Sequence, residues 1–154
     1  MTLRAGSPAA FGLVAVGGGI GGVLRYGATQ AFAEPAVGFP TTTFAVNVLG
    51  CLALGFCVGG PFTAGPAWLR PLVGTGLIGG FTTFSAVVHA ARATASAGFT
   101  PTALAYLAAS VLVGALAAAV GTGLGARWAV RRGEHDADVH PDRLPGAPQD
   151  WGRA

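Results

Sequence analysis

The stretch PLVGTGLIGGFTTFSAVVHAA, residues 71–91, contains no Asp, Glu, Lys or Arg and decides the fold. Its length suits a membrane-crossing helix, which needs roughly 20 predominantly apolar residues to span the hydrocarbon core. The adjacent glycines Gly79 and Gly80, followed by the β-branched Thr82 and Thr83, weaken a helix near its middle. This segment therefore predicts a transmembrane helix that is broken halfway across the membrane.

The rest of the chain repeats the pattern of long uncharged stretches. Charged residues make up only 10% of the 154 residues and hydrophobic residues 52%, whereas soluble domains carry about a quarter charged residues. A soluble protein with such stretches would have no polar face to present to water. The pattern predicts an all-α membrane protein whose transmembrane domain covers residues 1–126, with spans at about 8–32, 41–59, 71–91 and 102–126.

The composition changes at Arg127, where charged residues and prolines replace the apolar ones. Residues 127–154 are therefore predicted to form a solvated, disordered tail. The side of the membrane that carries both termini has more arginine, which favours cytoplasmic termini. Without the tail arginines the two sides are balanced, so the direction of insertion stays open. We expect a multi-pass protein of the plasma membrane (the bacterial inner membrane), in contact with lipid and with no nucleic-acid partner.

Polar residues inside the spans are few, and they are functional candidates because they are costly in lipid. They include no carboxylate, whereas a proton-coupled transporter or an exporter of organic cations normally needs one. Motifs for ATP-driven transport and for metalloenzyme chemistry are missing from the sequence, so we predict no enzyme. The hydroxyl, amide and aromatic groups that remain suit a small anion, but this chemistry alone does not single out one anion.

The break in the third span has two interpretations. Broken membrane helices expose backbone carbonyls that can coordinate a cation, which would indicate an ion site. Alternatively, Gly79 and Gly80 permit a close helix crossing, and Thr82 and Thr83 bond back to their own helix. The sequence pattern leaves both interpretations open.

Three segments, each on a different span, resemble the Fluc (CrcB) fluoride channel family. They are GGGIGGVLRY at residues 17–26, TFAVNVLG at 43–50 and GGFTTFS at 79–85. The resemblance covers roughly residues 10–126 and leaves the tail outside it. It implies an antiparallel, dual-topology dimer with two fluoride pathways and a structural sodium ion at its centre. It also implies passive export of cytoplasmic fluoride, driven by the membrane potential.

The resemblance further implies roles for individual residues. Gly79 and Thr82 would offer backbone carbonyls to sodium, and Arg25 would support the vestibule or the dimer. The other matched positions would line the fluoride pathway: Thr43, Asn47, Thr83, Phe84, Ser85, Tyr106 and Ser110.

Two positions depart from the family pattern. Val87 stands where a second pore phenylalanine is expected, and Gly114 stands where a fourth-span hydroxyl is expected. Either the chain pairs with a paralogue in a heterodimer that completes the pathway, or it forms a homodimer with weaker or altered permeation. Two other functions stay open: a small four-span multidrug-type exporter and a non-conducting partner subunit of a membrane complex.

Overall fold

The computed structural model describes residues 7–35 and 37–139 of the chain. Every regular element in these ranges is helical. The helices are α1 (Pro8–Ala31), α2 (Thr41–Gly59), α3 (Pro61–Ala64), α4, which is π-helical over Arg70–Ile78 and α-helical over Gly79–Phe81, α5 (Phe84–Ser96) and α6 (Thr100–Val139).

Four segments of this structure are long and apolar enough to cross a membrane. They are Pro8–Ala31, Thr41–Gly59, Arg70–Ser96, which combines α4 and α5, and Thr100–Gly133. The predicted fold of four membrane-crossing helices is thereby confirmed, and the chain is a multi-pass membrane protein.

Helix α6 is longer than the fourth span predicted from the sequence. It has 40 residues and continues to Val139, so it extends about 60 Å, twice the thickness of the hydrocarbon core. The structure differs here from the predicted disordered tail, because residues 127–139 are helical. This segment has no proline, and it contains three Arg and two Ala, which favour helix. The rest of the predicted tail, residues 140–154, lies outside the described residues.

The helices pack as two groups in which glycines bring backbones together. Helix α1 lies along α4, where a side chain at Gly17 or Gly21 would overlap backbone atoms of α4. Helix α2 lies along α6, where a side chain at Gly55 or Gly121 would do the same, and α5 packs against α6. Close approach of this kind supplies the van der Waals contact that holds helices together in lipid, where the hydrophobic effect between helices is absent.

The loop between α1 and α2 is tied to both α2 and α5. The Glu34 carboxylate accepts a hydrogen bond from the backbone N–H of Thr43, in the first turn of α2. The Thr94 hydroxyl donates to the carbonyl of Gly38 at 3.1 Å and accepts from the N–H of Gly38 at 3.3 Å. Gly38 has a φ of 122°, a left-handed conformation that glycine adopts without steric cost. The loop therefore fixes the start of α2.

The buried core is small and lies near this loop, between α5 and α6. It comprises Val87, Ala91, Ala103 and Tyr106, with Phe39 and Phe44 packed against it. Many large apolar side chains, including Val23 and Leu112, are instead exposed on the outer faces of the helices. Such faces suit contact with lipid or with another membrane-embedded chain.

Candidate ion pathway

The third span is interrupted at Thr82 and Thr83, whose backbones are extended, with φ and ψ of −81° and 156° and of −151° and 120° respectively. Helix α4 ends at Phe81 and α5 begins at Phe84. The predicted break is confirmed, and one helical residue, Phe81, separates it from the glycine pair. Each new helix end leaves backbone groups without an intrahelical partner, which is costly in lipid.

Asn47 pairs with the backbone that the break exposes. Its Nδ2 donates to the carbonyl oxygen of Thr83 at 2.9 Å, and its Oδ1 accepts from the N–H of Thr83 at 2.8 Å. One side-chain amide thus satisfies both backbone groups of Thr83, as a neighbouring strand would. Nδ2 carries two hydrogens, so one N–H of Asn47 is left for another acceptor.

Both interpretations of the glycine pair are realised. A side chain at Gly80 would overlap the backbone of Gly18 in α1, so the two helices cross closely here. The Thr82 hydroxyl also bonds back to its own helix, donating to the carbonyl of Ile78 at 3.0 Å. The helix nevertheless breaks immediately afterwards, so the close crossing and the break are consecutive features of one segment.

The break removes the helical partners of the two carbonyls that were predicted to face sodium. In an unbroken helix the Gly79 carbonyl would accept from the N–H of Thr83, and the Thr82 carbonyl from the N–H of Ala86. Instead, the Thr83 N–H donates to Asn47 at 2.8 Å, and the Ala86 N–H donates to the Thr83 hydroxyl at 3.3 Å. Carbonyl oxygens fit a hard cation, but such an ion takes about six oxygen ligands, more than these two positions supply.

Arg25 braces the end of α4 from α1. Its Nε donates to the carbonyl of Gly80 at 3.3 Å, and its side chain is half-buried. A cation is favourable at this place, because the C-terminal end of a helix carries a partial negative charge. The geometry places Arg25 against the broken helix of its own chain.

A groove of about 320 Å³ opens beside the break, between α2, α5 and α6. Four of the predicted pathway residues meet in it, and one of them, Phe84, has a side chain that is 74% exposed. The groove is lined by Asn47, Cys51, Thr82, Thr83, Phe84, Val87, Leu107, Ser110, Val111, Gly114 and Ala115.

The other three predicted pathway residues lie outside the groove. Tyr106 is 1% exposed, in the core, and its hydroxyl has no hydrogen-bond partner among the residues that the structure describes. Thr43 is buried in the first turn of α2, where its N–H is bound by Glu34. Ser85 is exposed in the first turn of α5, and its hydroxyl lies 3.2 Å from that of Thr83.

Ser110 lines the groove, but its hydroxyl proton points elsewhere. Ser110 Oγ donates to the carbonyl of Tyr106, one turn earlier in α6, at 2.8 Å. Side-chain hydroxyls in membrane helices commonly bond back to their own helix in this way. Ser110 would therefore have to rotate about χ1 before it could donate to an anion in the groove.

Val87 and Gly114, the two departures from the family pattern, both line this groove. Cys51, which was not predicted to line the pathway, lies beside Gly114. Val87 is 3% exposed, so it closes the wall next to the core. At Gly114 the side chain is missing, and a Cβ there would lie 3.5 Å from the sulfur of Cys51. Cys51 follows Asn47 by one helical turn, and that spacing on one helix face is the signal that could have identified it.

These features define a class: a multi-pass membrane protein in which a broken helix, paired with a side-chain amide, borders a groove that contains polar residues. Comparison with known sequences gives the family. The family described as "CrcB-like protein, Camphor Resistance (CrcB)" matches residues 12–122, and the chain belongs to this family.

Curated relatives carry names that state an activity. Fluoride-specific ion channel FluC 1 of Streptomyces coelicolor is 43% identical over 122 residues, which cover 78% of this chain and 76% of the relative. Fluoride-specific ion channel FluC 2 of Nocardia farcinica is 40% identical over 79% of this chain and 88% of its own length. Fluoride-specific ion channel FluC of Chlorobium phaeobacteroides is 37% identical, with coverages of 77% and 94%.

Proposed function

We propose that this chain is a subunit of a passive channel that lets fluoride leave the cytoplasm. The named relatives are fluoride-specific ion channels of the same family. Within the structure, one observation carries the proposal: Asn47 makes two hydrogen bonds to Thr83 at the break in the third span, and its second amide N–H has no partner among the described residues beside the groove. A protein that needed only a stable helix bundle would have no reason to break the helix and to bury an amide against it.

The groove offers the donors that a small, strongly hydrated anion needs in place of water. The free N–H of Asn47 supplies one hydrogen bond, and the exposed ring of Phe84 can present its positive edge. Ser110 adds a donor once its hydroxyl leaves the Tyr106 carbonyl, at a cost of about 1 kcal/mol for the lost hydrogen bond. No energy-supplying cofactor is needed for export, because fluoride enters as the neutral acid and the membrane potential drives the anion out.

The proposal includes an antiparallel, dual-topology dimer with a structural sodium ion. The carbonyls of Gly79 and Thr82, whose helical N–H partners bond elsewhere, would be the ligands from one subunit. A second subunit related by two-fold symmetry would contribute the same two carbonyls, which brings the set closer to a full coordination shell. The location that fits this function is the bacterial inner membrane.

A heterodimer is part of the proposal, because Val87 and Gly114 fall along one groove. An aromatic edge and a hydroxyl are both missing from the same pathway wall, so a paralogue with the family residues would complete it. A homodimer would conduct through two incomplete pathways. The alternative of a multidrug-type exporter lacks support, since Glu34 is the only carboxylate among the described side chains and it lies in a loop, bound to Thr43.

Fluoride efflux from liposomes tests the function. The purified chain, alone and together with each co-encoded homologue, would be reconstituted in vesicles loaded with potassium fluoride. After valinomycin is added, external fluoride would be followed with an electrode. We expect efflux when the partner is present and little when the chain is alone. Vesicles that stay fluoride-tight with every partner would overturn the function, and equal efflux from the chain alone would overturn only the heterodimer.

A further inference from the structure

We propose that this protein binds an anionic phospholipid in a groove at the membrane surface formed by the end of α2 and the start of α4. The groove has a volume of about 440 Å³ and shares no lining residue with the groove of the proposed fluoride pathway. It is lined by Leu54, Val58, Phe62, Arg70, Gly74 and Thr75. The inference does not depend on fluoride conduction.

The rim of the groove lies at the depth of the lipid headgroups. Helix α2 ends at Gly59 and α4 begins at Arg70, so the rim of the groove lies where the chain leaves and re-enters the membrane. Trp68, two residues before Arg70, is 44% exposed. Tryptophan is enriched at this depth, where the headgroups meet the hydrocarbon.

Arg70 is held in an orientation that suits a phosphate. Its Nε donates to the carbonyl of Phe62 at 3.1 Å, which fixes the guanidinium at the rim. The two Nη groups stay available, and their planar fork can bind two phosphate oxygens together. Among the described side chains no carboxylate pairs with Arg70, because the one carboxylate among them, Glu34, belongs to the loop on the other side of the membrane.

The floor of the groove is largely apolar and includes a contact between a glycine and an aromatic ring. A Cβ at Gly74 would lie 2.9 Å from the ring of Phe62, so this ring rests directly on the backbone of α4. Leu54 and Val58 form the facing wall on α2, and both are exposed. An acyl chain fits such walls, so the groove and Arg70 together match the two chemically distinct parts of one phospholipid. Phosphatidylglycerol carries a phosphate and a net negative charge, so Arg70 favours it over zwitterionic phosphatidylcholine.

Native mass spectrometry of the full-length protein tests the proposal. The protein would be released from mixed micelles that contain equal amounts of phosphatidylglycerol and phosphatidylcholine, and the retained lipid counted. We expect the wild type to retain phosphatidylglycerol preferentially. Arg70→Gln should retain about tenfold less of it, and Arg70→Lys an intermediate amount, because lysine keeps the charge but loses the fork. Val58→Phe should fill the groove and reduce retention of both lipids.

Matched controls separate a specific site from general effects. Arg92 is exposed and belongs to the opposite membrane surface, and Val16 is an exposed valine on α1. Arg92→Gln and Val16→Phe should therefore leave lipid retention unchanged. Equal loss in Arg92→Gln and Arg70→Gln, or none in Arg70→Gln, would overturn the proposal. So would a Val58→Phe protein that keeps its lipid but loses its dimer, because the groove would then be a subunit contact.

Discussion

At the scale of single residues, Asn47 connects the backbone break to the proposed ion pathway. A side-chain amide can donate to the Thr83 carbonyl, accept from the Thr83 N–H and still keep a further N–H, and no other type of side chain can do all three. Glutamine also has an amide, but its side chain is one methylene longer. A carboxylate can accept but not donate when ionised, and an aliphatic side chain can do neither.

Asn47→Asp is therefore expected to lower fluoride efflux by at least about a hundredfold, because it removes the free donor and adds a negative charge to the pathway. The Thr83 carbonyl also loses its partner, which should destabilise the fold by about 1–3 kcal/mol. Liposome efflux and thermal unfolding in detergent would measure the two effects. Cys57→Ser, on the same helix and outside the groove, is the control. Wild-type efflux from a folded Asn47→Asp protein would contradict the assignment.

Cys51 provides a test of whether the groove holds water. Cys51 and Cys57 are both half-buried free thiols on α2, but only Cys51 lines the groove. Thiol reagents react with the thiolate, which forms in water and not in lipid. A small methanethiosulfonate should therefore modify Cys51 in Cys57→Ser and reduce efflux, and should leave Cys51→Ser unaffected. Modification of Cys57 alone, seen by intact-mass analysis, would place the water on the other side of α2.

At the scale of helices, the glycines of α1 divide into those that touch α4 and those that do not. Substitution at Gly21 would place a Cβ against the backbone of Leu77, whereas a Cβ at Gly22 meets nothing within 4 Å. Backbone atoms cannot move aside as the end of a flexible side chain can. Contact glycines therefore set the distance between α1 and α4, and Arg25 then reaches the last turn of α4 from this position.

The matched pair Gly21→Ala and Gly22→Ala tests this division. Gly21→Ala should destabilise the protein by about 2–3 kcal/mol through overpacking. Gly22→Ala should be neutral or stabilising by up to about 1 kcal/mol, because alanine favours helix. The pair Gly121→Ala and Gly123→Ala offers the same comparison on α6, since a Cβ at Gly121 would overlap Leu52 and one at Gly123 meets nothing. The melting temperatures of all four variants would be measured in one detergent. Equal shifts within each pair would contradict the division into contact and non-contact glycines.

At the scale of the whole molecule, the two helix groups leave the groove incomplete in one chain. Phe84 is 74% exposed, and the wall beside it ends in Val87 and Gly114. We expect a pathway with so much of its lining open to need a second chain, so the proposed function would depend on the quaternary state.

The double variant Val87→Phe and Gly114→Ser tests whether these two positions limit conduction. Restoring a ring and a hydroxyl to the groove should raise fluoride efflux of the chain alone by about tenfold or more. Val88→Phe, which adds a ring on the outer face where Val88 is 45% exposed, is the control. Because Val87 packs tightly, each protein would first be checked for monodispersity. A folded double variant that conducts no better than the wild type would show that the limitation lies elsewhere.

The sequence determined the elements of this protein because membrane insertion depends on local composition. Uncharged stretches placed the starts and ends of α1 and α2 within one residue, and the pattern around Gly79 and Thr83 gave the break in the third span. The continuation of α6 to Val139 was missed, since charge was read as disorder where helix propensity continues. These are properties of neighbouring residues, which a sequence displays directly.

Only the tertiary structure decided what each polar group does. It paired Asn47 with Thr83 across 36 residues, directed Arg25 to Gly80, and buried Tyr106 away from the groove that Ser110 lines. In lipid each exposed backbone group must find a partner within the protein, but many partners satisfy that demand equally well. Which one is chosen depends on how the helices cross, and the crossings are set by glycine contacts between segments far apart in the chain.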